Sequence, residues 1–239
     1  MDDPELLYDE SRALYSIGRV AEAETTLRNA LGLAETNAAA PMNEQLNKPF
    51  IHAEQAKRIL EMIELANNPV LSAIDRVEQS LQAEPDNVPA LMALGAIDEQ
   101  RTDVAAAGVA YKKALKRFPD FSPAKLRLAI LGAAKTDFDE NAYDLAQQVR
   151  PTYPNDPDLA KALGLLLYRK GGEPSRAVNL LKQSAATRTN DPELFYYLGM
   201  AQLQSKDLAG SRQSLQKSLA IGLKPPLSAE AGKVLSGLK

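Results

Sequence analysis

Polar and apolar positions along the chain repeat on two scales. On the short scale, apolar residues recur three and four apart, as at Leu91 and Leu94 and again from Ala110 to Leu115, the spacing of a helix with one buried stripe. On the long scale a phrase returns. "PDNVPALMALG" begins at Pro85, "PDFSPAKLRLAI" at Pro119, "PNDPDLAKALG" at Pro154 and "TNDPELFYYLG" at Thr189, at offsets of 34, 35 and 35 residues. Each copy opens a helix. Asp156, Pro157 and Asp158 place a capping carboxylate, a proline at the first helical position and an acid in the first turn. Asp191, Pro192 and Glu193 repeat the arrangement, as do Asp3, Pro4 and Glu5, and Ser122 with Pro123 gives a hydroxyl version. A polar turn such as "RTD" separates two helical segments, so the unit is a helical hairpin and the fold class is all-α.

From Val88 to Phe121 the sequence resembles the tetratricopeptide repeat, with Leu91, Leu94, Gly95, Ala107, Tyr111, Ala114 and Pro119 on its pattern and Asp98 in place of the usual tyrosine. Ser122 to Asp156 keeps Leu128, Ala129, Ala142 and Pro154. Pro157 to Asp191 keeps Leu163, Gly164, Ala177, Leu181 and Ala185, with Thr189 where the final proline would stand. Pro192 to Pro225 keeps Phe195, Leu198, Gly199, Leu215 and Pro225, with Ser211 replacing alanine. Upstream, 53–87 places Ile59, Leu60, Ile63, Ala73, Val77 and Pro85, and 4–37 places Leu7, Leu14, Ala23, Leu27 and Ala30. The resemblance implies one α-solenoid domain over 1–239, with six hairpins (4–37, 53–87, 88–121, 122–156, 157–191 and 192–225) wound into a right-handed superhelix.

Stacking through small residues such as Gly95, Ala107 and Ala114 would bury a continuous core. Residues 227–239 carry Leu227, Ala231, Val234, Leu235 and Leu238 on one stripe, with Ser228 and Lys233 outside it, as a capping helix requires. Residues 38–52, with Pro41 and Pro49, are too long for a turn between repeats. They read either as an irregular connection at which the first hairpin can swing, or as a helix extension that ends before Pro41.

The family resemblance places the partner-binding positions on a concave groove lined by the first helix of each hairpin. They are Met92, Ala96 and Glu99, then Leu126, Ile130 and Ala133, then Lys161, Leu165 and Tyr168, and finally Tyr196, Met200 and Leu203. Leucine, isoleucine, methionine and tyrosine at such places suit an apolar or amphipathic segment of another polypeptide. The competing reading is that these side chains pack against the chain itself or its capping helix. Some family members clamp a chaperone's C-terminal carboxylate with basic residues; Lys161 is the single basic match here, which disfavours a clamp. The first two hairpins offer the more polar set Tyr8, Arg12, Tyr15, Lys57, Glu61 and Glu64.

Composition narrows the chemistry. With 28 basic and 31 acidic residues and net charge −3, nothing draws the whole chain to nucleic acid, and no stretch approaches the length of a membrane span. The absence of cysteine removes thiolate catalysis and cysteine-held zinc but leaves the compartment open: cytoplasmic, or periplasmic if a leader was removed. The single histidine, His52, has no second imidazole for a metal site, and "TDFDEN" from Thr136 reads as helix-capping acids. "YKKALKR" reads as a basic helix end and "GGEP" from Gly171 as a helix stop. No cofactor and no catalytic residue is expected. The leading function is a non-enzymatic protein-interaction scaffold or adaptor; the alternatives are a self-associating module and a regulatory fragment of a larger enzyme or secretion machine.

Overall fold

The structure, a computed structural model, describes residues 3–39, 50–135 and 139–238. Among these residues the chain forms thirteen α-helices and a short 3-10 turn at Leu71–Ala73, with no strand. The helices are α1 (Pro4–Ser16), α2 (Val20–Ala39), α3 (Ala53–Asn67), α4 (Ile74–Ala83), α5 (Val88–Gln100), α6 (Val104–Arg117) and α7 (Ser122–Ala133). They continue as α8 (Glu140–Val149), α9 (Pro157–Lys170), α10 (Pro174–Ala185), α11 (Pro192–Gln204), α12 (Leu208–Ala220) and α13 (Leu227–Gly237). The chain divides into two compact units, Met1–Lys125 and Leu126–Lys239, with the boundary inside α7.

Capping fixes where these helices begin. The side chains of Asn87, Asp156 and Asp191 accept from the backbone amides of Ala90, Leu159 and Leu194 at 3.0, 2.7 and 3.0 Å, opening α5, α9 and α11. Aspartates also open the second helices of hairpins: Asp103, Asp139 and Asp207 accept from Ala106, Ala142 and Gly210. Asp139 thus takes the capping role expected within "TDFDEN", while Asp137 of that stretch lies outside the described residues. Gly171 ends α9 in the left-handed region at φ 75°, and Pro174 starts α10, so "GGEP" is a stop and a restart. Of the connection expected over 38–52, residues 40–49 lie outside the described residues, and α2 itself continues to Ala39.

In the first unit α5 packs against α3, α4 and α6, and α2 packs against α3. Met62, Leu65, Ala73, Val77, Ala90, Ala93 and Ile97 form one buried apolar cluster there. Helix α1 makes its own hairpin with α2 but also reaches the openings of three later helices. Tyr8 stacks on His52 with ring centroids 4.8 Å apart just ahead of α3, Ser11 and Arg12 face Asn87 to Pro89 across a small cavity, and Tyr15 lies 5.2 Å from Phe121 at the start of α7. Gly18, at φ 83°, completes this contact, since a Cβ there would stand 3.3 Å from the Pro123 ring.

In the second unit α9 pairs with α10 and α11 with α12, α10 packs on α11, and α13 closes against α12. Its core is continuous from Ala129 and Ala146 through Leu159, Leu163, Leu166 and Leu181 to Leu194 and Ala201. Glycines set the spacing of the α9–α10 and α11–α12 hairpins. A Cβ on Gly164 would lie 2.7 Å from Leu181 Cγ, and one on Gly199 would lie 2.7 Å from Leu215 Cγ; in the first unit the Tyr111 ring occupies the corresponding space over Gly95.

Two substitutions test this packing. Gly164→Val should cost about 1–3 kcal/mol in chemical denaturation, because the leucine beneath it must move, whereas Gly172→Ala, with open space around it, should leave stability within about 0.5 kcal/mol. Ser211 is fully buried at the position where the repeat pattern has alanine, and its hydroxyl has no hydrogen-bond partner. Ser211→Ala should therefore stabilise the protein by about 1 kcal/mol in the same measurement.

Candidate functional site

The residues expected to face a partner are distributed over α5 in the first unit and α7, α9 and α11 in the second. In the first unit Met92 is buried and Ala96 half-buried. Glu99 accepts a 2.7 Å hydrogen bond from the hydroxyl of Tyr111, a fully buried residue of α6. That bond ties α5 to α6, so Glu99 has a structural duty within the hairpin. Next to it, Asp98 is buried, and burial followed by the nearby Asp103 charge raises its carboxyl above the ordinary value.

In the second unit Leu126 and Ile130 of α7 and Tyr168 of α9 are half-buried and pack against the main core. Ala133, at the end of α7, is buried and offers its carbonyl to Arg169 Nη1 at 2.7 Å. Leu165 is 5% exposed and belongs to the core itself. Lys161 Nζ bonds Asp191 Oδ2 at 2.6 Å, and Asp191 at the same time caps α11. Lys161, the single basic residue of the expected set, is thus committed to joining α9 to the start of α11. The charge pair is about one-fifth exposed on each side, which makes it better shielded than the surface pairs elsewhere in the chain.

Three tyrosines meet at the other end of this face. The Tyr197 ring centroid lies 5.8 Å from that of Tyr168 and 5.1 Å from that of Tyr196, both edge-on, and the Arg169 guanidinium sits 5.4 Å from the Tyr197 centroid. Arg169 Nη2 also reaches the Tyr197 hydroxyl at 3.3 Å. Sequence reasoning placed Tyr196, and not its neighbour Tyr197, among the groove positions. The structure makes Tyr196 the more buried of the two, at 3% exposure, because Leu223 and Ala231 join it and Leu215 in one cluster. Met200 packs at the margin of that cluster beside Leu227, Val234 and Leu235 of α13, while Leu203 stays half-buried.

Glu230 of α13 completes the arrangement. Burial, then a hydrogen bond to the Glu230 carboxylate, pushes the Tyr196 hydroxyl far above its ordinary range, and burial with the same carboxylate nearby raises Tyr168. Both hydroxyls are proton donors at neutral pH. Glu230 and Arg169 were not singled out from the sequence, where each reads as one more charge on an amphipathic helix. The signal that could have found Glu230 is its place one residue before Ala231 on the apolar stripe of α13.

The more polar residues of the first two hairpins are dispersed. Tyr8 and Tyr15 are buried, Arg12, Lys57 and Glu64 are exposed, Glu61 pairs with Arg76 at 2.6 Å and Glu64 with Arg28 at 2.6 Å. The Glu5 carboxylate accepts from His52 Nδ1 at 2.5 Å. Among the described residues no group of three or more His, Asp or Glu side chains is placed to hold a metal ion, and no helix is long and apolar enough to cross a membrane.

No curated protein matches the chain. A family model of the tetratricopeptide repeat matches residues 100–157 and 162–225, more than half of the chain. These matches take in α6 to α8 and most of α9 to α12, including the two hairpins in which Gly164 nests on Leu181 and Gly199 on Leu215. The protein belongs to the tetratricopeptide repeat family.

Proposed function

We propose that the protein is a non-catalytic scaffold that holds an apolar or amphipathic segment of another polypeptide against α7, α9 and α11. Tetratricopeptide repeats are protein–protein interaction modules, and the second unit carries the features such a role requires. The observation that carries the reading is the set Leu126, Ile130, Tyr168, Met200 and Leu203. These large apolar side chains lie on first helices and keep part of their surface accessible after core, cap and hairpin packing have been satisfied. An accessible apolar set of this kind has a reason to persist if it is covered by something else. The Tyr168 hydroxyl adds a donor at its edge, and the commitment of Lys161 to Asp191 leaves the face without a free cation at that position, which suits an apolar anchor better than a carboxylate.

The burial pattern also separates residues that test binding from residues that test folding. Leu165 and Tyr196 are packed inside the unit, so a charge at either place attacks the core. Ile130 and Leu203 are half-buried and are the informative positions. A photo-crosslinking residue at Leu203 should label a partner protein in native lysate, while the same residue at the exposed Asn179 of α10 should not. Ile130→Glu should reduce the yield of the labelled protein by about tenfold or more, with helix content unchanged by circular dichroism. Equal labelling from positions 203 and 179, or an undiminished yield from the Ile130→Glu variant, would contradict the proposal.

A further inference from the structure

Two helices of the first unit turn a patterned face to solvent. On α1 and its first following residue, Leu6, Glu10, Ala13 and Ile17 are all exposed. They follow the i, i+4, i+7, i+11 spacing that places them along one side of a helix, with Asp9 beside them. Leu6 and Ile17 are 67% and 64% exposed, among the highest values for large apolar residues in the chain. The remaining charges of α1 are engaged elsewhere: Glu5 meets His52, and Arg12 lies on the other side of the helix, facing Asn87 and Pro89. Asp9 and Glu10 form no ion pair among the described residues.

On α6 the same spacing holds Ala105, Val109, Lys112 and Lys116, again all exposed, with Lys113 beside them. This helix carries four basic residues and no acidic one, in a chain whose net charge is −3. Arg117 has the Asp86 carboxylate at 3.4 Å, whereas Lys112, Lys113 and Lys116 have no ion-pair partner among the described residues. The attraction of cations to a helix's carbonyl end accounts for Lys116 and Arg117 in the last turn. It does not account for the two lysines before them, nor for Val109, which is 56% exposed. The face is unobstructed: a Cβ on the neighbouring Gly108 would meet nothing within 4 Å.

The two faces are complementary in charge and in size. Laid antiparallel with Glu10 opposite Lys112, they bring Asp9 opposite Lys113, Ala13 opposite Val109 and Ile17 opposite Ala105. Leu6 then falls against Lys116, whose aliphatic stem can cover it. Each carboxylate meets an ammonium, and each large apolar side chain meets a small or flexible one. Both faces are exposed in the folded unit, so the complement comes from another molecule. We infer that the chain associates with a second copy of itself, α1 of one copy lying on α6 of the other. Each copy carries one face of each kind, so a two-fold pair can make the contact twice, and other arrangements extend it into a ring or a chain. The residues involved are other than those proposed to hold the partner. One helix face on another is a small interface with exposed ion pairs, which makes the association weak and salt-sensitive.

Sedimentation equilibrium of the full chain, from micromolar to millimolar concentration, tests this. The wild type should pass from monomer to dimer or larger species at about 50 mM salt, with an association constant about tenfold lower at about 500 mM. Two charge-reversal variants, Asp9→Lys with Glu10→Lys and Lys112→Glu with Lys113→Glu, should each stay monomeric. An equimolar mixture of the two should associate as the wild type does, because the reversed faces match each other again. Lys233→Glu, at an exposed position of α13, should leave association unchanged. Circular dichroism checks that the variants keep their helix content; should a reversal disturb folding, Val109→Asn, which alters no charge, should still weaken association about fivefold. A wild type that stays monomeric throughout would show that these faces meet solvent or a different molecule. Failure of the mixture to associate, undiminished association of Val109→Asn, or an equal loss from Lys233→Glu would show that the α1 and α6 faces do not pair; any of these results overturns the inference.

Discussion

The structure depends on how closely two helices of a hairpin can approach. At Gly164 and Gly199 the backbone of the first helix comes so near Leu181 and Leu215 of the second that a single Cβ has no room, and the Tyr111 ring makes the same demand of Gly95. This approach lets alanines such as Ala107, Ala142 and Ala177 be fully or almost fully buried with so little side chain to offer. It also determines which residues remain for other work. Once the small residues and the leucines above them have satisfied the hairpin, the large side chains on the remaining face of the first helix are surplus to it.

That surplus is not uniform along the second unit. Near α7 it stays half-accessible at Leu126 and Ile130, in the middle it is partly drawn into the core at Leu165, and at the end α13 covers Tyr196 and brings the Glu230 carboxylate near its hydroxyl. The closing helix therefore does two things at once. It covers the apolar face that the last hairpin would otherwise leave in water, and it removes one of the expected anchors, Tyr196, from the surface a partner could use.

Much of the fold was legible in the sequence because its signals are local. Asp156, Asp191 and Asp3 cap where the Asp-Pro-acid phrase indicated, Gly171 stops α9, and the glycines of the repeat pattern at 95, 164 and 199 meet large residues across the hairpin. What escaped is nonlocal. Nothing near His52 in the sequence indicates Glu5, and nothing in the repeat pattern indicates that α1 reaches Asn87 and Phe121. The burial of Tyr196 escaped for the same reason, since it is set by a helix some 30 residues further on. Lys161 looked like a lone charge on a binding face until Asp191, one hairpin later, was seen to bond it.

The central claim is the contact between glycine backbone and leucine side chain inside the α9–α10 and α11–α12 hairpins, and nuclear Overhauser spectroscopy on methyl-labelled protein measures it most directly. Strong cross-peaks from the Leu181 methyls to the Gly164 α-protons, and from the Leu215 methyls to those of Gly199, are the result this account predicts. Absence of both, with the same methyls instead close to protons of another helix, would contradict it.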